Sequence, residues 1–231
     1  MSEQAISPIE KAFLDVRTSE LPLKDRLRVV ADAARTYKPA YAEAVDEFAA
    51  RLRRVQAGAD APQVGEQMPP FVLPDETGRL VSLKDLLAQG PAVVTFHRGH
   101  WCPYCCISIS TLAKAQPRIE ALGARMVAIV PDREQFTAEM RQDCDVNFPI
   151  LSDMDNGYAM SLNLAIWVGA EMKEFMTKIG RVLPEYQGND SWMLPIPATF
   201  VVGKNGRIES RFVDPDYRKR VAIDELIDAL K

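Results

Sequence analysis

The chain has little of what marks a fibrous, secreted or charge-driven protein. Its 231 residues hold 4 cysteines and 12 glycines, too few for a disulfide scaffold or a collagen-like repeat. Lysine and arginine (28) are outnumbered by aspartate and glutamate (32), for a formal net charge of -4. That balance gives no long-range pull on phosphates, and no basic aromatic stripe is present, so nucleic acid is excluded as an expected partner. No stretch approaches the roughly 18 uninterrupted apolar residues of a membrane span. The first residues, MSEQAISPIEKAFLDVRTSE, lack a basic leader followed by an apolar block, and a cytoplasmic location is the expectation. What is there is ordinary for a globular protein with a sizeable core: 47% hydrophobic and 26% charged residues.

The pattern along the chain predicts two parts, residues 1–60 and 61–231. In the first, apolar residues recur in steps of three and four: Ile9, Phe13, Val16; Leu23, Leu27, Val30, Ala34, Tyr37; Tyr41, Val45, Phe48, Leu52, Val55. Each series is one stripe on a helix, and Pro22 and Pro39 separate the segments. Such stripes pack against their own domain or, alternatively, serve as an arm for a homodimer. AGADAPQVGEQMPP, residues 57–70, reads as a linker.

Beyond it strands alternate with helices. A hairpin is expected over residues 71–81 with its turn at Thr77-Gly78, then a short helix capped by Ser82. A buried strand AVVTFH (92–97) follows, then a helix over 103–121, a strand ARMVAIV, a helix REQFTAEMRQDC, a hairpin around Asn205-Gly206 and a closing amphipathic helix. Residues 157–196 lack clear periodicity, although SLNLAIW and EMKEFMTKI suit short helices. The order predicts an α/β fold: a central mixed sheet flanked by helices, carrying an N-terminal helical extension.

Three of the four cysteines fall within HRGHWCPYCC, where the buried strand gives way to a helix. In a reducing compartment a close pair points to redox or metal chemistry rather than to a structural bridge. Pro103 suits the first helical position, which has no use for an N–H. The Cys102 sulfur is then expected to face the free amides of the first turn and the positive end of the helix dipole, both of which favour thiolate. Cys105 lies one turn on, within reach of a disulfide, so Cys102 reads as the attacking sulfur and Cys105 as the resolving one. Zinc is the competing reading because His97 and His100 are near, but a structural site needs four ligands and no second CxxC or spaced His pair is present. No metal or other cofactor is therefore expected. Cys106 points about 100° away from Cys105 and reads as a small buried hydrophobe. Cys144 reads as packing, or as a distant resolving thiol.

Taken together, TFHRGHWCPYC, FPILSDMDNG, LPIPATFVVGKNGRI and FVDPDYRKR resemble the peroxiredoxin-like family of the alkyl hydroperoxide reductase and thiol-specific antioxidant group, over about residues 64–231. The resemblance implies a thioredoxin-like fold and a thiol-dependent reductase with Cys102 as its reactive residue. The WCPYC core is also similar to thioredoxin and glutaredoxin sites. The family carries Pro and Thr where this chain has Thr95 and Gly99, and an Arg where it has Pro197. That Thr and Arg align and polarise the peroxide bond, and Arg98 is the candidate to supply the cation instead. Pro197 resembles the cis-proline that faces the CxxC in thioredoxin-like proteins, which would leave the Ile196 backbone to pair with an extended partner; a strand-starting proline is the alternative.

Trp101, Tyr104, Trp167 and Trp192 are candidates for the wall of an apolar substrate site, or for core. SDMDNG reads as a turn before a helix, and Arg218-Lys219-Arg220 as a solvated charge run. The expected activity is reduction of hydroperoxides through a Cys102–Cys105 cycle, regenerated by an external thiol reductant of the thioredoxin or glutathione type. The alternatives are reduction of disulfide substrates, or a non-enzymatic redox sensor.

Overall fold

The computed structural model describes residues 6–231, so the first five residues of the expected extension lie outside it. Three helices come first: α1 (Pro8–Arg17), α2 (Leu23–Tyr37) and α3 (Pro39–Arg54). Ser7 caps α1 through its hydroxyl, Pro22 is the N-cap of α2, and Pro39 opens α3. The hairpin β1 (Val72–Pro74) and β2 (Leu80–Ser82) leads into α4 (Leu83–Leu87). Its turn is fixed by Asp75, whose carboxylate accepts from the Thr77 and Arg79 amides, and by Gly78 at φ 80°. Then come β3 (Ala92–Phe96), α5 (Pro103–Ala121), β4 (Arg125–Val130), α6 (Glu134–Asp143) and β5 (Ile150–Ser152). After a 3-10 turn at Met154–Asn156, α7 (Gly157–Ser161), β6 (Ala165–Trp167), α8 (Ala170–Lys178), α9 (Leu183–Gln187) and β7 (Met193–Pro195) follow. β8 (Ala198–Val202), β9 (Ile208–Val213) and α10 (Ile223–Asp228) complete the chain.

The central sheet runs β5-β4-β3-β8-β9, with β3, β4 and β5 parallel and β8 and β9 antiparallel to their neighbours. Because side chains alternate across a strand, its residues divide between two cores. Val93, Met126, Ala128, Val130 and Val201 face one cluster, and Ala92, Val94, Phe96, Val127, Ile129 and Phe200 face the other. The second is covered by the β1–β2 hairpin, α4 and α7. The first is covered by α5, α8, α10 and the N-terminal helices, whose Val16, Leu23, Leu27, Val30, Val45, Phe48 and Leu52 pack with Cys102, Cys105 and Ile109. The apolar stripes are thus consumed within the chain. Tyr37 and Val55, the last residues of theirs, remain exposed.

The extension is fastened by Arg26, only 2% exposed. Its guanidinium donates to the Val16 carbonyl at 2.7 Å, to the Arg17 carbonyl and to the Thr111 hydroxyl on α5 at 2.7 Å. A buried cation is tolerated when its donors are matched in this way.

Two expectations change. Residues 57–70 are no free linker: Gly65 donates to Ile208, Ile208 to Glu66 and Met68 to Gly206, which lays the segment along the β8–β9 hairpin. The end of SLNLAIW is strand β6, not helix, because it finds a partner in β7, with Ile166 opposite Leu194. Among the described residues no helix is long and apolar enough to cross a membrane.

Candidate active site

β3 ends at Phe96 and α5 begins at Pro103, so the connection His97–Cys102 lies at the C-terminal edge of the parallel strands, where open α/β sheets place their sites. Gly99 is at φ 132°, and a Cβ there would lie 2.5 Å from the Asp132 carboxylate and 2.7 Å from the Trp101 indole nitrogen. Only glycine lets the chain turn this closely. The His100 amide donates to Asp132 Oδ2 at 2.7 Å.

Cys102 is the N-cap residue of α5 and is 1% exposed. Its sulfur makes no regular side-chain cap with the helix, and of the first-turn amides expected to support it, that of Cys105 is the smallest of several contributions. Burial raises its pKa, and the hydrogen bond from the Cys105 thiol, then the guanidinium groups of Arg98 and Arg220, and last the Cys105 amide outweigh it, bringing the thiol down to about 5. Cys105 goes the other way: burial and the Cys102 thiolate hold its proton on. The Arg98 amide at 3.3 Å and Arg220 Nη2 at 3.4 Å donate to the Cys105 sulfur. The surroundings therefore favour a thiolate at Cys102 and a thiol at Cys105.

Arg98 is 5% exposed rather than solvated. Its guanidinium carbon lies 3.7 Å from the centre of the Tyr217 ring and 4.9 Å from that of Trp101, so aromatic faces hold the cation at the dithiol. Arg220, read as part of a solvated run, comes from the segment after β9 and bonds backward to the Lys219 and Tyr217 carbonyls. Arg218 is likewise committed, to Asp216 and Asp46. Sequence reasoning missed Arg220 and also Asp132, a 1% exposed carboxyl that burial pushes up to about 8. Its signal is a lone Asp at the end of a buried strand. His97, in turn, is pushed down to about 3 by burial and by Arg220, so its ring is neutral beside the Thr95 hydroxyl at 3.0 Å.

A cavity of about 350 Å³ lies between the N-terminal helices and this loop, lined by Phe13, Arg17, Tyr41, Trp101, Tyr104 and Cys106 among others. Trp101 and Tyr104 thus reach a candidate substrate space. Trp192 is buried with its N–H on Asp190, and Trp167 is an exposed residue of β6; neither lines the cavity. Ile196 is 1% exposed and belongs to the opposite core, and its N–H already donates to Leu164 at 2.7 Å. No described peptide bond is cis, Ile196–Pro197 included. Of the Ile196 backbone expected to pair with an extended partner, the N–H is therefore committed inside the chain. Among the described residues no group of three or more His, Cys, Asp or Glu side chains is placed to hold a metal ion.

A thioredoxin-like mixed sheet that holds an activated CxxC at a strand-to-helix junction defines a thiol-dependent oxidoreductase. Within that class the chain belongs to the AhpC/TSA family, whose pattern matches residues 64–211. It is 24% identical to the thiol-disulfide oxidoreductase ResA of Bacillus subtilis over 67% of this chain and 69% of that protein. The peroxidoxin BcpB from Mycobacterium tuberculosis has a similar structure (TM-score 0.58, 19% identity, 73% of this chain and 96% of that one). So has a yeast mitochondrial 1-Cys peroxiredoxin (TM-score 0.55, 16% identity, 71% and 73%). The family match begins after the helical extension, which supplies Phe13, Arg17 and Tyr41 of the cavity.

Proposed function

We propose that the chain reduces hydroperoxides, with Cys102 as nucleophile and Cys105 as resolving thiol. One observation carries the reading: two guanidinium groups, Arg98 and Arg220, favour a thiolate at Cys102, one turn from the Cys105 thiol. Peroxide enters by the cavity that Trp101, Pro103 and Tyr104 line, and a local opening of the first turn of α5 exposes the closed sulfur. The thiolate attacks the terminal oxygen; an S–O bond forms, the O–O bond breaks, and the alkoxide leaves and takes a proton from water. Pro197 stands where the usual family pattern has an Arg; Arg98, held at the dithiol by Tyr217 and Trp101, supplies a cation in its place, and its charge favours the departing alkoxide. Cys105 then attacks the sulfenic sulfur, an S–S bond forms, and water departs with the Cys105 proton. An external dithiol returns both sulfurs to the reduced state. The yeast neighbour is described with glutathione and thioredoxin systems, and a donor of either type suits this cycle.

The second reading is reduction of disulfide substrates, favoured by the CPYC pair and by the likeness to ResA. Peroxide consumption with a thiol reductant supplied, measured beside insulin-disulfide reduction, separates the two. The first reading requires peroxide turnover that is lost in Cys102→Ser. Vigorous insulin reduction without peroxide turnover overturns it in favour of the second.

A further inference from the structure

Two cysteines stand outside this chemistry. Cys106 follows Cys105 on α5 and Cys144 is the C-cap of α6, both belong to one buried cluster, and each thiol acts on the other's acidity, Cys144 drawn down and Cys106 pushed up. A second link holds the same two elements together. The Cys106 sulfur lies 3.1 Å from the His100 carbonyl oxygen, and His100 Nε2 lies 2.8 Å from the carboxylate of Asp143, the residue before Cys144. Of the four cysteines, Cys106 alone lines the 350 Å³ cavity. It cannot serve the first pair, because adjacent helical residues project about 100° apart and disulfide geometry is narrow. Toward Cys144, next in the chain to the Asp143 that His100 holds beside Cys106, a bond of about 2.05 Å asks for adjustment of two side chains.

We propose that Cys106 and Cys144 form a second redox-active dithiol, oxidised to a disulfide by small hydroperoxides that enter the cavity. The Cys144 thiolate takes the Cys106 proton as the Cys106 sulfur attacks the terminal peroxide oxygen. An S–O bond forms, the O–O bond breaks, and the alkoxide takes a proton from water. The Cys144 thiol then attacks the Cys106 sulfenic sulfur; the S–S bond forms and water leaves with the Cys144 proton. Two sulfurs lose two electrons and one hydroperoxide gains them, ending as alcohol and water. Cys144 is available as that base because the Cys106 thiol and the Ser110 hydroxyl support its anionic form, with Arg17 adding a weaker pull. The product ties the first turn of α5 to the end of α6 beside the cavity.

The test uses the full chain with Cys102→Ser and Cys105→Ser combined, leaving two of the four free thiols. After one equivalent of cumene hydroperoxide the thiol count is expected to fall from two to none per chain. Tryptic peptides 99–114 and 142–173 should be recovered joined by a bond that dithiothreitol opens, and Cys144→Ser in that background should abolish the joint. A single oxidised cysteine with no joined peptides, or two unreacted thiols, overturns the proposal. If the double variant does not fold, the wild type treated with two equivalents gives the same joined peptides, and Cys106→Ser must remove them; their persistence, as a bond from Cys144 to Cys102 or Cys105, also overturns it. Cys102-dependent turnover reads the function proposed above, whereas the joined peptides read this pair, so either fails without the other.

Discussion

Two thiol pairs meet at the first turn of α5, the second reaching across to the end of α6, and their surroundings differ in where the cations are. Around Cys102 and Cys105 stand Arg98, stacked on Tyr217 and buried, and Arg220, bonded to the Cys105 sulfur. Around Cys106 and Cys144 the nearby charges are Arg17, only half-buried, and Asp143, which opposes an anion. Burial acts on both pairs alike, raising every thiol. The difference teaches that a neighbouring thiol offsets desolvation at one sulfur of each pair, and that at Cys102 buried guanidinium groups add to it, because their charge acts through a medium water does not screen.

The largest effect expected from that contrast is on turnover. Cys102→Ser should lower peroxide consumption by at least about a thousandfold, the scale on which losing a nucleophile is felt. Residual turnover within tenfold of wild type would show that the second pair, not the first, carries the flux.

Next comes Asp132, which touches both neighbourhoods: it accepts the His100 amide, and the Cys102 charge helps to hold its proton on. Its folded pKa is raised from 3.8 to about 8. A raised carboxyl contributes stability that is full below the unfolded value and is lost as pH climbs to the folded one. Wild type should therefore lose stability between about pH 4 and 8, on the order of a few kcal/mol. Asp132→Asn, which keeps an acceptor for His100, should flatten that slope. Urea unfolding across the range measures it, and an unchanged slope in the variant would falsify the assignment.

How far the sequence foretold all this depends on distance along the chain. The β3–α5 junction and the Cys102–Cys105 pair are local: an apolar run, a Pro at the first helical position and a one-turn spacing are enough to read them. The parallel pair β3 and β4 and both hairpins follow from short-range periodicity and turn residues, whereas the three-residue β5 is too short to show a pattern. Arg220 is not readable in that way, since it meets a sulfur 115 positions away, and its neighbours in RKR look like any solvated run. The approach of Cys106 to Cys144 and the pairing of β6 with β7 fail to show for the same reason: each is made by the fold closing, not by its own segment. Pro197 misled in the opposite sense, because a local likeness implied an open amide that Leu164 already occupies.

A smaller, sharper test concerns Arg98. Removing its charge in Arg98→Met keeps the apolar stem against the rings and should raise the Cys102 midpoint by about one unit, or about 1.4 kcal/mol. Because the thiolate is the reactive form, the rate falls as pH drops through about 5 in wild type. In the variant that fall begins at higher pH, so the loss is about tenfold greater at acidic pH than near neutrality, where only the missing support of the departing alkoxide is felt. Ultraviolet titration of the thiolate reads the midpoint directly. A rate that drops equally at all pH values would assign Arg98 to substrate binding alone.

The smallest effect is the counterpart on the second pair. Arg17→Met should raise the Cys144 midpoint, since Arg17 pulls it down, but by less than Arg98→Met moves Cys102. The reason is exposure: Arg17 sits half in solvent at the mouth of the cavity, where water and salt screen its charge, whereas Arg98 is sealed between aromatic faces. The two shifts should separate further as salt is raised, the Arg17 effect fading and the Arg98 effect persisting. Thiolate titrations at low and high ionic strength, each in a chain holding a single thiol pair, give both. Equal salt sensitivity at the two sites would mean that the Arg98 cage is open to solvent, and the distinction between the pairs would then rest on hydrogen bonding alone.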